Sequence, residues 1–235
     1  MSPYEDKTLK ERFHEEGAKL KEMSLKDKFW YICEYYKYPI IGILIAVIMV
    51  GSIGSAMYNN RFDTALTCLI MNARYDTETA PAKVNKYFDE DFRATTEIEA
   101  KYPFDVDYTL SVAFDSSAMN EYSYAELAKV TAMISSKQVD VMIGDPEAMD
   151  HYAAMGGFLD FESALPADLY ELVKDRLYTA VDEETGEEVA CGVYIGDTSF
   201  SERTGLTVEN PVLAILSNST HTDTSLALLR FVLEQ

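Results

Sequence analysis

The most regular feature of the hydrophobic pattern is an unbroken apolar run near the N-terminus. Residues 38–60, YPIIGILIAVIMVGSIGSAMYNN, form a stretch of 23 residues without a charged side chain. At about 1.5 Å of rise per residue, about 20 helical residues cross the roughly 30 Å hydrocarbon core of a bilayer. We therefore predict a transmembrane helix at residues 39–60. It separates a juxtamembrane segment at residues 1–38 from a domain at residues 61–235.

Two other interpretations of this run are a buried core helix and a cleaved signal peptide. Core helices rarely continue this far without a polar position. Small residues at Gly54, Ser55 and Ala56 loosely resemble a cleavage site, but the segment before the run is too long for the short basic region of a signal peptide. The pattern favours an uncleaved signal anchor.

The flanks of the run predict its orientation. Only Arg61 lies close to its C-terminal end, whereas five lysines lie on the N-terminal side: Lys19, Lys21, Lys26, Lys28 and Lys37. Because basic residues are retained on the cytoplasmic side, the N-terminus is expected in the cytoplasm and the C-terminal domain outside it.

Downstream of the run, the periodicity changes repeatedly between strand and helix patterns. Apolar or alternating stretches predict strands at residues 64–71, 106–114, 139–143 and 211–216. Two further short strands are expected around a turn at residues 183–188. Helical spacing predicts helices at residues 81–92, 122–136 and 223–233 and a further helix within residues 166–178, and a proline after Asp145 predicts another helix start there. This alternation predicts one mostly parallel α/β domain.

Charge adds a constraint on partners. The 20 basic and 40 acidic residues give a net charge of −20, and the first 38 residues hold eight of each sign. The whole excess of negative charge therefore belongs to the domain after the apolar run. Such a surface disfavours nucleic acid and is repelled by anionic lipid.

Several segments of this domain resemble the extracellular solute-binding proteins, which have the type 2 periplasmic-binding fold. YAELAKVTAMISSKQVDVMIGD at residues 124–145 is similar to the helix and "PDV"-type strand of that family. YAAMGGFLDFESALP, ACGVYIG and the last 26 residues resemble the family's next helix, its "vyGvP" strand, and its returning strand with the closing helix. The resemblance covers residues 64–235 and implies a bacterial, extracytoplasmic binding protein associated with transport.

One departure from the family changes the expected architecture. Solute-binding proteins insert a second lobe after the "vyGvP" strand and bind ligand between the lobes, but here only residues 197–210 separate that strand from the returning one. We therefore expect a single lobe. Cys68 lies beyond charged residues after the apolar run, which argues against a lipid-modified cysteine.

The candidate binding residues lie at predicted strand ends. Ligands of open α/β sheets bind outside the carboxyl ends of strands, which selects Asp115, Asp145 and Asp197, with Tyr194 and Phe200 nearby. The alternative is that each aspartate only caps the helix that follows it.

The remaining chemistry predicts neither catalysis nor a cofactor. The sequence lacks the common nucleophile, phosphate-loop and zinc-protease motifs, and its three histidines lack metal-ligand spacing. Cys68 and Cys191 fall in predicted buried strands, which favours apolar packing over a disulfide, and the acidic residues 89–91 are expected to form a solvated helix end rather than a calcium site. The sequence thus predicts a membrane-anchored module that binds a small solute or a protein; the alternative is an assembly subunit of a membrane complex.

Overall fold

The structure is a computed structural model that describes residues 24, 26–27, 30, 37–59, 63–114, 121–183 and 185–234. The chain divides into two units, Met1–Arg61 and Phe62–Gln235. Most of the juxtamembrane segment predicted at residues 1–38 lies outside the described residues, as does Asp115.

The first unit contains helix α1, Lys37–Asn59. Its described apolar side chains between residues 41 and 50 are all exposed, with Ile41 at 51% and Val50 at 70%. Among the described residues, no helix combines the length and the apolarity that a membrane crossing requires.

A short helical stretch that includes residues 26 and 27 precedes α1, and Ser24 caps it. The backbone N–H of Asp27 donates to Ser24 Oγ over 3.3 Å, and the Ser24 hydroxyl donates to Asp27 Oδ2 over 2.6 Å. This reciprocal pair satisfies a backbone donor at the helix start.

The second unit is an α/β domain built on one six-stranded sheet. Its strands are β1 Leu66–Met71, β2 Phe104–Leu110, β3 Val141–Gly144, β4 Leu177–Val181, β5 Glu188–Tyr194 and β6 Val212–Ile215. The strand order is β2-β1-β3-β6-β5-β4. The pairs β1–β2 and β1–β3 are parallel, whereas β3–β6, β5–β6 and β4–β5 are antiparallel. Four strands thus run in one direction and two in the other, so the sheet is mixed.

Helices cover both faces of this sheet. One face carries α3, Glu121–Ser135, and α4, Pro146–Ala153. The other face carries the remaining helices, which are α2 Ala80–Asn85 with a following π-helical segment Lys86–Phe92 and 3₁₀ turn Arg93–Thr95, α5 Phe161–Ala164, α6 Ala167–Val173, α7 Phe200–Thr204 and α8 Thr222–Leu233. The sheet therefore lies between two apolar layers, as expected of an α/β domain.

The two cysteines of the α/β domain pack into different layers. Cys68 on β1 is fully buried on the α8 side of the sheet, and Cys191 on β5 is 3% exposed on the α4 side. Both thiols are free, which confirms apolar packing over a disulfide. Burial raises the pKa of each thiol, to about 11 for Cys191, so neither side chain is a reactive thiolate.

The segment between β5 and β6 returns directly to the sheet. It contains the five-residue helix α7, and Thr207 forms two backbone hydrogen bonds with Arg74, over 2.8 and 2.9 Å. β6 then enters between β3 and β5. Residues 197–210 thus lie against the same domain and leave no room for a second lobe at this position.

Candidate functional site

The carboxyl ends of β1, β2, β3 and β5 meet at one edge of the sheet, which we call the carboxyl edge. Gly144 at the end of β3 and Tyr194 at the end of β5 both pair with Val212, the first residue of β6. Because neighbouring strands are about 4.8 Å apart, these two strand ends are separated by about 10 Å. The loops that carry Asp145 and Asp197 therefore lie at the same edge, on either side of β6.

Asp145 is fully engaged in structural hydrogen bonds. Its Oδ1 accepts the backbone N–H of Ala148 over 3.0 Å, which caps α4, and its Oδ2 accepts from Asn72 Nδ2 over 2.7 Å. Asn72 has a φ of 55° and its Oδ1 accepts the N–H of Val112 over 2.9 Å. Asp145 therefore caps α4 and also holds Asn72 in place.

Asn72 joins three strand ends and was not selected by the sequence pattern. Asn72 could have been identified from its place directly after a buried strand, because asparagine adopts the left-handed backbone conformation more readily than most residues. Its amide ties the end of β1 to the start of α4 and to the segment after β2.

Asp197 has a different role from Asp145. The N-cap of α7 is Ser199, and Asp197 Oδ1 instead accepts from Arg176 Nη1 over 2.7 Å. The Asp197 side chain is 65% exposed and that of Arg176 is 33% exposed. For Asp197, the capping interpretation is wrong, and the carboxyl edge carries an ion pair that faces solvent.

Tyr194 lies beside this ion pair, because its backbone N–H donates to the carbonyl of Arg176 over 2.9 Å. Tyr194 is 39% exposed, and its ring meets the buried ring of Tyr178 edge to face at 5.8 Å between centroids. The Tyr178 hydroxyl donates to Asp150 of α4. Burial, followed by this hydrogen bond to a carboxylate, raises the pKa of Tyr178. The Tyr194 ring therefore packs against the buried Tyr178 ring and is partly exposed to solvent.

Phe200 does not contribute to the surface. It is 1% exposed, and its ring contacts that of Tyr87 edge to face at 5.5 Å between centroids. The structure therefore places Phe200 in the core, where it packs α7 against the π-helical segment. Of the five candidate residues, Tyr194 and Asp197 are brought together as exposed groups at the carboxyl edge.

The opposite edge of the sheet holds a polar cluster that the sequence reasoning missed. Asp140 is 2% exposed, and its carboxylate accepts the N–H of Thr67 over 2.8 Å and the hydroxyl of Ser219 over 2.7 Å. His221 Nδ1 lies 3.1 Å from Asp140 Oδ2. An open hollow of about 490 Å³ adjoins this pair and is also lined by Asp63.

This Asp140–His221 pair has a clear structural purpose. Asp140, just before β3, accepts hydrogen bonds from Thr67 in β1 and from Ser219 in the loop before α8, and so holds these segments together. A buried carboxylate is stable only when such donors satisfy it. Ser219 donates to Asp140 rather than to His221, so the three residues do not form the nucleophile–base arrangement of a serine hydrolase.

Two of the three acidic residues at positions 89–91 form ion pairs. Asp89 lies 2.8 Å from Arg93, and Asp91 lies 2.8 Å from Arg203. Within the part of the chain that the structure describes, no group of three His, Cys, Asp or Glu side chains is placed to hold a metal ion.

Comparison with known proteins assigns no family to this chain. No protein-family model, no curated protein and no solved structure matches the chain.

Proposed function

We propose that this chain is a membrane-anchored, extracytoplasmic binding module that resembles one lobe of a solute-binding protein and acts without catalysis. The anchor would be the apolar run at residues 39–60, and the binding surface would be the carboxyl edge of the α/β domain. The proposal rests on one observation above all: an exposed tyrosine and a partly exposed ion pair share an edge that no second lobe among the described residues covers.

Two features support the comparison with a solute-binding lobe. The segment that resembles the family's returning strand forms β6, and it lies beside the segment that resembles the "vyGvP" strand, β5. The segment that resembles the closing helix forms α8, which packs on the sheet through Leu228, Leu229 and Val232.

A protein is a better partner for this edge than a small solute. Small-molecule sites are concave and enclose most of the ligand surface, whereas Tyr194 and Asp197 lie on an open edge. Tyrosine and arginine are enriched in protein interfaces because they combine apolar area with a polar group. Tyr194 and Arg176 supply this combination side by side, since the N–H of Tyr194 donates to the carbonyl of Arg176 over 2.9 Å.

Site-specific photocrosslinking tests this function in cells that express the full chain. With benzoylphenylalanine in place of Tyr194, irradiation is expected to yield a covalent adduct with a protein. The matched control places the same group at Asp223, which is also exposed but lies at the start of α8, near the opposite edge.

An adduct formed at Tyr194 and absent at Asp223 would support the carboxyl edge as the binding surface. Equal adducts at both positions, or no adduct at Tyr194, would contradict the proposal. Replacing Arg176 by alanine in the Tyr194 variant is expected to reduce the adduct, because it removes the charged group beside the tyrosine.

A further inference from the structure

A second surface of the domain lies on the α4 side of the sheet. An open groove of about 540 Å³ runs between the outer side of α4 and the edge strand β4. Its apolar lining includes Met155, which is 61% exposed, and Val181, which is 57% exposed. Phe114 also lines the groove, and its ring stacks on that of His151 at 4.3 Å between centroids. Exposed apolar side chains that share one groove mark a contact surface more often than scattered ones do.

The charged groups of this groove are all acidic. Glu147 and Asp150 line it from α4, and Glu183 lines it from the turn after β4. The Tyr178 hydroxyl holds Asp150 in place from within the sheet. No lysine or arginine is among the described residues that line the groove. The lining of the groove therefore combines apolar side chains with three carboxylates, and no basic side chain lies beside these carboxylates in the described lining.

His151 does not offset this charge at neutral pH. Burial lowers the pKa of its imidazole below the usual value, although the nearby Glu183 acts in the opposite direction. The ring is therefore neutral at pH 7, and it presents an aromatic surface to the groove together with Phe114.

We infer that this groove binds a protein segment in which positively charged side chains alternate with apolar ones. Apolar side chains would contact Phe114, Met155 and Val181, and the basic ones would face Glu147, Asp150 and Glu183. A second copy of this chain is a poor occupant, because the residues beyond 38 carry the entire net charge of −20 and would bring more negative charge to the groove. The inference is independent of the carboxyl edge, so either can fail without the other.

Peptide titration of the purified full chain in zwitterionic lipid nanodiscs tests the inference. The probe is a fluorescent ten-residue peptide of alternating lysine and valine, and empty nanodiscs give the lipid background. Alternating lysine–serine and glutamate–valine peptides of the same length serve as controls for the apolar and the basic positions. We expect only the lysine–valine peptide to bind above background, and more weakly as salt increases.

Two variants with the same change in net charge locate the binding. The double variant Glu147→Gln with Glu183→Gln is expected to weaken binding about three- to tenfold, as for two partly exposed ion pairs. The double variant Glu90→Gln with Glu202→Gln changes exposed residues on the other face and is expected to bind as the parent does.

The replacement Met155→Ser completes the set, and it is expected to weaken binding without lowering the melting temperature, since Met155 is largely exposed. Equal weakening in the two double variants, equal binding of the lysine–serine peptide, or no binding above empty nanodiscs would overturn the inference.

Discussion

Replacing Phe200 by alanine is expected to lower the free energy of unfolding of the domain by about 3–5 kcal/mol, the usual cost of removing a buried phenylalanine ring. Phe200 is 1% exposed and contacts Tyr87, so its loss leaves a cavity between α7 and the π-helical segment. For a domain of this size, the melting temperature should fall by about 6–20 °C. Thermal unfolding of the full chain, followed by near-ultraviolet circular dichroism, measures the change.

The matched control for this prediction is Tyr194→Ala at the other aromatic candidate. Tyr194 is 39% exposed, so its replacement should cost only about 1 kcal/mol, mainly from the lost edge-to-face contact. The two variants thus distinguish a role in folding from a role in binding. Phe200→Ala should destabilise the domain, whereas Tyr194→Ala should remove a contact with the partner. Similar melting temperatures for both variants would show that Phe200 does not pack as described.

Replacing Asp140 by alanine is expected to lower the free energy of unfolding by about 3 kcal/mol. The variant leaves the N–H of Thr67 and the hydroxyl of Ser219 without their acceptor, and each such loss costs about 1–3 kcal/mol when the donor is buried. Thr67 is 7% exposed, so water replaces the carboxylate poorly. The melting temperature should fall by about 6–12 °C, measured as for Phe200→Ala.

Two further variants show whether the buried hydrogen bonds cause this effect. Asp140→Asn keeps one acceptor oxygen and should lose roughly half as much stability as Asp140→Ala. Asp223→Ala removes an exposed carboxylate at the first turn of α8 and should cost less than about 1 kcal/mol. If Asp140→Ala melts within the range of Asp223→Ala, the buried carboxylate does not stabilise the strand starts.

The sequence predicts most elements of the domain because their signals are local. The run LTCLIM becomes β1 with every residue buried, and Asp145 followed by proline starts α4 with the expected cap. The turn at residues 183–188 joins β4 to β5, as the short strands around it predict. These signals depend on residues a few positions apart, which local patterns report well.

The direction of the strands is less visible in the sequence. β6 is as apolar as β3, but it runs antiparallel to both β3 and β5. Apolar runs specify that a strand is buried, not which strand becomes its neighbour. The predicted mostly parallel α/β domain is confirmed, since four of the six strands share one direction, but the pattern did not show that β4 and β6 run against them.

Tertiary contacts decide details of the helices that the pattern leaves open. Residues 166–178 contain a helix, as expected, and this helix, α6, ends at Val173 because Leu177 and Tyr178 belong to β4 and pair with β5. The helix expected at residues 81–92 becomes π-helical from Lys86.

The candidate site was predictable only in part, because its key contacts join distant residues. Asp140 and His221 are 81 positions apart, and Phe200 meets Tyr87 from another helix. Phe200 stands alone among polar residues of the connection after β5, so no periodicity marks it as buried. Tyr194 could be selected because it ends a strand, which is a local property.

Thiol labelling of intact cells tests most directly whether the α/β domain is displayed outside a membrane anchor. The background variant is Cys33→Ser, since Cys68 and Cys191 are buried and should not react. A single cysteine is then introduced either at Glu187, which is exposed in the turn between β4 and β5, or at Ser2 in the N-terminal segment. A membrane-impermeant maleimide should label the Glu187→Cys chain on intact cells and the Ser2→Cys chain only after permeabilisation. Labelling of Ser2→Cys on intact cells, with Glu187→Cys labelled only after permeabilisation, would contradict the proposed anchor and its orientation.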